Sequence, residues 1–344
     1  MPSDQSLRNV IGIDVGGTKT LAVRVLVPES GRLVSDKAEI KSEAALVMST
    51  SVQDRERVSS FAHELAVMSQ IELAAATLIK RSNQAVDAIG VGLAGFIGRD
   101  GIARSSPNAP GLIGVNVEAA LTARFGVPVV IDNDANCVAL AAQSMFGTSS
   151  GSLLAVTLGT GIGGGMVLNG KLLRGAHGFA GEPGHMVINP NGPECPCGQR
   201  GCWERYASGS GLGWLGRVAA AEGRADTVLA RAGSVEGING EIVTELLLQD
   251  DPGAVIIFGE YCGYVALGLA NLMLLFDPEV IVIGGGLAIL GDRLTDLVTS
   301  KLVGQFPAAS RDRKVRILSA PLGPEAGAFG AALTAAELHF GSGS

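Results

Sequence analysis

Residues 10–27 read VIGIDVGGTKTLAVRVLV, and residues 153–173 read LLAVTLGTGIGGGMVLNGKLL. Each is an apolar run that enters a glycine-rich turn and leaves as a second apolar run, the pattern of a strand, a tight turn and a strand. The first turn is Asp14-Val15-Gly16-Gly17-Thr18-Lys19 and the second is Gly159-Thr160-Gly161-Ile162-Gly163-Gly164. One unit used twice predicts two related α/β halves.

The second turn also satisfies G-x-G-x-x-G at Gly159, Gly161 and Gly164. A dinucleotide fingerprint needs a helix after the glycines, so that the helix N-terminus meets the pyrophosphate. Here another apolar run and an Asn169-Gly170 turn follow, so this reading is rejected. No G-x-x-x-x-G-K-[ST] occurs either. The two turns make better sense as a pair of phosphate-binding hairpins. Glycines let backbone N–H groups approach phosphate oxygens, and Thr18 and Thr160 add hydroxyl donors. Asp14 can hold Mg²⁺ directly or through water. Lys19 reaches a phosphate or stays solvated. The plainer alternative is that the glycines only turn the chain.

The remaining pattern fits this plan. Residues 88–93 and 127–131 read as buried strands, the second ending at Asp132-Asn133-Asp134. Residues 117–125 read as a helix capped by Asn116, and residues 135–146 as another. Residues 55–81 are predicted as one long amphipathic helix. Residues 280–283 form a late strand before Gly284-Gly285-Gly286, and residues 321–338 form a closing Gly/Ala-rich helix. The run 254–276 is long enough to cross a bilayer. It carries Glu260 and is followed at once by another apolar strand, which favours a buried helix.

A 344-residue chain that is 47% hydrophobic with 49 glycines fits two α/β domains with tight turns between elements. We place the boundary after residue 132, with 1–132 as a small lobe completed by helix 323–340, and 133–322 as a large lobe. A net charge of −7 argues against nucleic-acid binding. Nothing indicates a disulfide framework or an apolar signal core, which predicts a cytoplasmic protein. The GSGS tail is expected to be disordered.

His185, Cys195, Cys197 and Cys202 fall within eighteen residues, in GHMVINPNGPECPCGQRGC. Three thiolates and an imidazole suit a closed four-coordinate zinc, hence a structural metal. His177 is an alternative imidazole. Glu182 and Glu204 flank the cluster, too few and too hard to compete with thiolates, and so are free to face a substrate. Cys137 and Cys262 read as core residues, Trp203 as packing under the loop, and His63 and His339 as helix residues without chemistry.

With these motifs the chain resembles the ROK family of sugar kinases and sugar-responsive repressors, from DVGGTKT near the N-terminus to EAGAFGAA at residues 325–332. The most specific part is GHMVINPNGPECPCGQRGCWE, residues 184–204, and GCWERYASG is most like the bacterial glucokinases of this family. The resemblance implies an actin-like, hexokinase-like (ribonuclease H-like) two-lobed α/β fold. An active-site cleft between lobes and a zinc-bound loop come with it. It implies ATP- and Mg²⁺-dependent phosphorylation of a hexose, glucose to glucose 6-phosphate first. N-acetylmannosamine, fructose or mannose are alternative substrates, and polyphosphate is an alternative donor. Asp134 matches the catalytic base, and Asn133 and Asn108 match sugar-hydroxyl ligands. Glu182 and His185 match the E-x-G-H pair, and Glu204 matches a further sugar ligand. Gly284, Gly285 and Gly286 match the loop beside the adenosine. It favours His185 over His177 as the imidazole beside the three cysteines. A homodimer or homotetramer also comes with the resemblance. A sugar-sensing repressor would need an added DNA-binding module, and here the first strand begins about ten residues in. NAPGLIG lacks the family's aromatic residue after Asn-x-Pro, and AGFIGRDG departs from a proline-containing turn; both bear on the choice of hexose.

Overall fold

The computed structural model describes residues 7–16, 19–28, 52–59, 67–106, 109–146, 148–306, 314–319, 323 and 325–340. Gly17, Thr18, Asn108, His63, the tail 341–344 and the side chain of Lys19 lie outside the described residues.

The first sheet has the order β3-β2-β1-β4-β7. Its strands are β1 (Leu7–Val15), β2 (Lys19–Pro28), β3 (Val52–Ser59), β4 (Ala88–Leu93) and β7 (Val129–Asn133). β1 and β2 form the expected antiparallel hairpin, and β4 and β7 add parallel strands on the other side. Two short strands, β5 (Phe96–Ile97) and β6 (Ala103–Ser105), pair with each other. β4 is buried along its whole length, as a continuous AIGVGL run demands. The second sheet has the order β10-β9-β8-β11-β12. It is built from β8 (Leu153–Leu158), β9 (Ile162–Leu168), β10 (Lys171–Leu172), β11 (Val280–Gly284) and β12 (Arg316–Ser319). In both sheets a glycine-turned pair stands beside strands that run parallel, so the recurrence seen in the sequence is a recurrence of topology.

The helices are α1 (Val67–Arg81), α2 (Val117–Phe125), α3 (Asp134–Phe146), α4 (Glu204–Ala207), α5 (Gly209–Ala221), α6 (Asp226–Ala232), α7 (Gly240–Leu247), α8 (Pro252–Phe276), α9 (Asp292–Leu302) and α10 (Ala326–Phe340). Asn116 caps α2 as predicted, its side chain accepting from Ala119 N at 2.9 Å. The expected long helix is overturned. Residues 55–81 are not one helix: β3 takes their start, and α1 begins only at Val67. β3 is an edge strand with neither face well buried, so its sequence carries no clean period of two.

The chain divides into two compact units. One comprises 1–153, 165–181 and 322–344, and the other 154–164 and 182–321. The boundary expected after residue 132 therefore falls inside the first unit, because α3 packs on α10. In that unit Gly12 of β1 and Gly90 of β4 lie side by side. A Cβ on Gly12 would run into the carbonyl of Ala328, and one on Gly90 into that of Ala331. The Ala-rich α10 thus lies on the sheet at backbone distance, and β1, β4, α1 and α2 supply the apolar core around Ile11, Ile89, Leu78 and Leu121.

The second unit is organised on α8. Asp251 caps it by accepting from Ala254 N at 2.9 Å, Pro252 occupies its first turn, and Asp277 ends it in the left-handed conformation. α8 is long and apolar enough to cross a membrane, and most of its apolar length is buried inside this unit.

Candidate active site and metal centre

In the first unit the predicted residues gather at the ends of β1 and β7. Asp14, the last residue but one of β1, faces the first turn of α10, where a Cβ on Gly327 would lie 2.6 Å from its Cγ. The N-terminus of a helix favours such a negative charge. At the end of β7 three consecutive polar residues divide the work. Asn133 Oδ1 accepts from Ala135 N at 2.8 Å and Asn136 N at 3.1 Å, closing the start of α3. Its Nδ2 donates to Gly95 O at 3.0 Å, which leaves one amide hydrogen for a ligand. Asp134 Oδ1 accepts from Ala135 N at 2.9 Å. Although its side chain keeps some exposure, burial pushes the Asp134 carboxyl above its ordinary value, against the opposing pull of backbone N–H groups.

Asp132, which the sequence reading passed over, is the anchor of this segment. It is buried, and its Oδ1 accepts from Asn136 Nδ2 at 2.9 Å and Asn133 N at 2.8 Å. Its Oδ2 accepts from Arg174 Nε at 2.7 Å. Arg174 had no sequence signal, because its partner stands 42 residues away.

In the second unit the β8–β9 turn is closed by Gly159 N donating to Gly161 O at 3.0 Å. Gly163 N donates to Thr157 Oγ1 at 3.2 Å, and Thr160 at the tip is exposed. The third glycine run meets this turn from below. Gly285 has φ 84°, and a Cβ there would lie 2.6 Å from Leu158 O, so Gly284 to Gly286 pass directly beside the end of β8. Two of the glycine segments assigned to a nucleotide are therefore neighbours within one unit.

The metal loop begins at Glu182, whose carbonyl accepts from His185 N at 3.2 Å across a single 3₁₀ turn, Pro183–His185. Cys195 N donates to Gln199 O at 2.8 Å and Gly198 N to Cys195 O at 3.0 Å, folding the thiols back on each other. Trp203 N donates to Met186 O at 2.7 Å and closes the loop. One ligand atom each from His185, Cys195, Cys197 and Cys202 lies within 4.8 Å of the other three. Cys197 Sγ is 3.6 Å from Cys202 Sγ, and Cys195 Sγ is 3.9 Å from His185 Nδ1. A tetrahedral zinc with Zn–S of about 2.3 Å sets its ligands about 3.8 Å apart, so these residues fit that ion. His177 belongs to the other unit and is no member of the cluster.

Glu204 follows the last cysteine by two residues. Its Oε1 is 3.1 Å from Cys195 Sγ and 3.8 Å from His185 Nδ1. Trp203 between them is fully buried and donates from Nε1 to Tyr264 O of α8 at 2.8 Å, so it is packing and not a stacking surface.

Two sheets of one topology, glycine-turned hairpins and a Cys₃His loop with flanking carboxylates define an α/β fold of the glucokinase-like ROK type. The sequence profile of the ROK family matches residues 10–337, and the chain belongs to that family. It is 33% identical to a glucokinase of Streptomyces coelicolor over 95% of this chain and 97% of that one. It is 29% identical to an N-acetylmannosamine kinase of Yersinia pseudotuberculosis over 81% of this chain and 84% of that one. Its fold matches the crystal structure of a ROK family glucokinase from Streptomyces griseus in complex with glucose and AMPPNP, with a TM-score of 0.72 and 33% identity. That match covers 96% of this chain and 99% of that one.

Proposed function

We propose that the protein is an ATP- and Mg²⁺-dependent hexokinase that phosphorylates glucose at its 6-hydroxyl. The observation that carries this is the end of β7, where Asp134 stands at the start of α3 with a raised pKa while both oxygens of Asp132 and the amide oxygen of Asn133 are spent on structure. A carboxylate so placed is suited to accept a hydroxyl proton as the oxygen attacks phosphorus. Such a base accounts for about 10²–10⁴ in rate; positioning and neutralisation of phosphate charge account for the rest.

In this reading Glu182, His185 and Glu204 hold sugar hydroxyls, with Asn133 offering its remaining amide hydrogen and Asn108 a further ligand. Gly159, Thr160 and Gly161 with Gly284, Gly285 and Gly286 receive the nucleotide in the second unit. Asp14, Gly16, Gly17, Thr18 and Lys19 do so in the first. Asp14 would hold Mg²⁺, which supplies charge neutralisation on the phosphates. The four cluster residues would hold zinc, which supplies rigidity alone because no open position remains. His185 Nδ1 faces the thiols, which leaves Nε2 for the sugar. A cytoplasmic homodimer or homotetramer without nucleic-acid or membrane partners completes the reading.

The test is an ADP-release assay with ATP and Mg²⁺ over glucose, mannose, fructose, N-acetylglucosamine and N-acetylmannosamine. Turnover preferring glucose is the expected result. Preference for N-acetylmannosamine moves the substrate to that of the Yersinia relative, and no turnover with any sugar overturns the reading.

A further inference from the structure

The sequence reading gave Gly161 to the nucleotide, as one glycine of a phosphate loop. Its neighbours in the second unit point to a further role. A Cβ on Gly161 would lie 2.8 Å from Glu204 Oε2 and would meet no other group closely. Gly161 is outside the left-handed region, so its backbone would accept a side chain. What excludes one is the carboxylate resting over its Cα.

Neither side of this contact is free to yield by moving its backbone. On the loop side, Gly209 N donates to Gly159 O at 2.6 Å, and Ser210 Oγ donates to Thr160 O at 2.8 Å. On the other side, Glu204 follows the buried Trp203, and its own carbonyl accepts from Ser208 Oγ at 2.6 Å. The segment from Glu204 to Ser210 is thus strapped to the turn at residues 159 and 160, and the carboxylate lies over residue 161. A methyl group added there can be relieved only by rotating the Glu204 side chain off its present place.

We infer that Gly161 is a positioning residue for the carboxylate of Glu204, and through it sets affinity for the sugar. This rests on the proposed role of Glu204 as a sugar ligand.

The experiment is a double-mutant cycle read by calorimetric glucose binding without nucleotide, using variants with wild-type zinc content and melting temperature. Gly161→Ala should weaken glucose binding by about tenfold to a hundredfold, the loss of one charge-assisted hydrogen bond. In a Glu204→Ala background the same substitution should cost less than about twofold, because its only route to the sugar is gone. An equal loss in both backgrounds overturns the inference. A crystal structure of Gly161→Ala decides independently of any ligand. Glu204 rotated away supports the inference, and Oε2 still seated over residue 161 overturns it. If the wild-type protein binds no sugar, the proposed function fails while that structure still tests the geometry.

Discussion

Asp132 Oδ2 holds Arg174 Nε at 2.7 Å, and both side chains are largely withdrawn from solvent. The pair ties the end of β7, two residues before Asp134, to the segment that follows β10. Removing one partner of such a pair leaves a charge buried without compensation. Arg174→Met should lower unfolding free energy by about 3 kcal/mol in denaturant titration. Adding Asp132→Asn to Arg174→Met should recover part of that loss, since the orphaned charge is then removed.

Asp134→Asn should reduce kcat by about 10²–10⁴ while glucose still binds, measured by turnover and calorimetry together. The sign of the pH effect follows from burial raising the carboxyl above 3.8. Activity needs the ionised form, so the acid limb of kcat/KM, which reports the free enzyme, should have its midpoint above 3.8 and be absent from the residual rate of the Asn variant. The same shift means that ionised Asp134 costs folding energy at neutral pH and stabilises only when protonated. Asp134→Asn should therefore be at least as stable as wild type at pH 7.

One zinc per chain is expected by elemental analysis. Cys197 is the exposed member of the cluster, so a chelator can approach there. Removing the ion should lower the melting temperature, because ligand binding and local folding are coupled. Cys197→Ser should lose zinc and stability together; retention of a full complement of zinc would exclude Cys197 as a ligand.

Gly268→Ala tests how α8 supports the metal loop. A Cβ at Gly268 would land in the indole ring of Trp203, which is fully buried. Overpacking of this kind costs about 1–3 kcal/mol. Because Trp203 stands between Cys202 and Glu204, thermal melting and zinc release to a competing chelator should both shift.

What the sequence disclosed depended on how local each feature was. The four cluster residues lie close together in the chain, and their ligand atoms converge in the fold, so that cluster could be read directly. The hairpins at 10–27 and 153–173 were legible because their apolar runs flank glycine turns. The roles at the end of β7 were less so. Asn133 and Asp134 share a residue class with any helix cap, and only the contact with Gly95 shows where the Asn133 amide is spent. The pairing of Asp132 with Arg174 is long-range and left no local trace. β3 was misread because VQDRERVS is an edge strand whose run of polar and charged residues carries no clean period of two, and its charged positions merged with α1 into one helical pattern. The approach of Glu204 to Gly161 left no trace in the sequence, because a glycine carries no sign of which neighbour lies over it.

The packing of α10 against Gly12 and Gly90 has a consequence for synthesis on the ribosome. The strands β1, β2 and β4 emerge early, yet the helix that covers them is encoded at residues 326–340. All of residues 182–321, which make up most of the other unit, are translated before it. The first-made sheet must therefore wait with one apolar face uncovered, exposed to aggregation and to chaperones, while later-made segments fold.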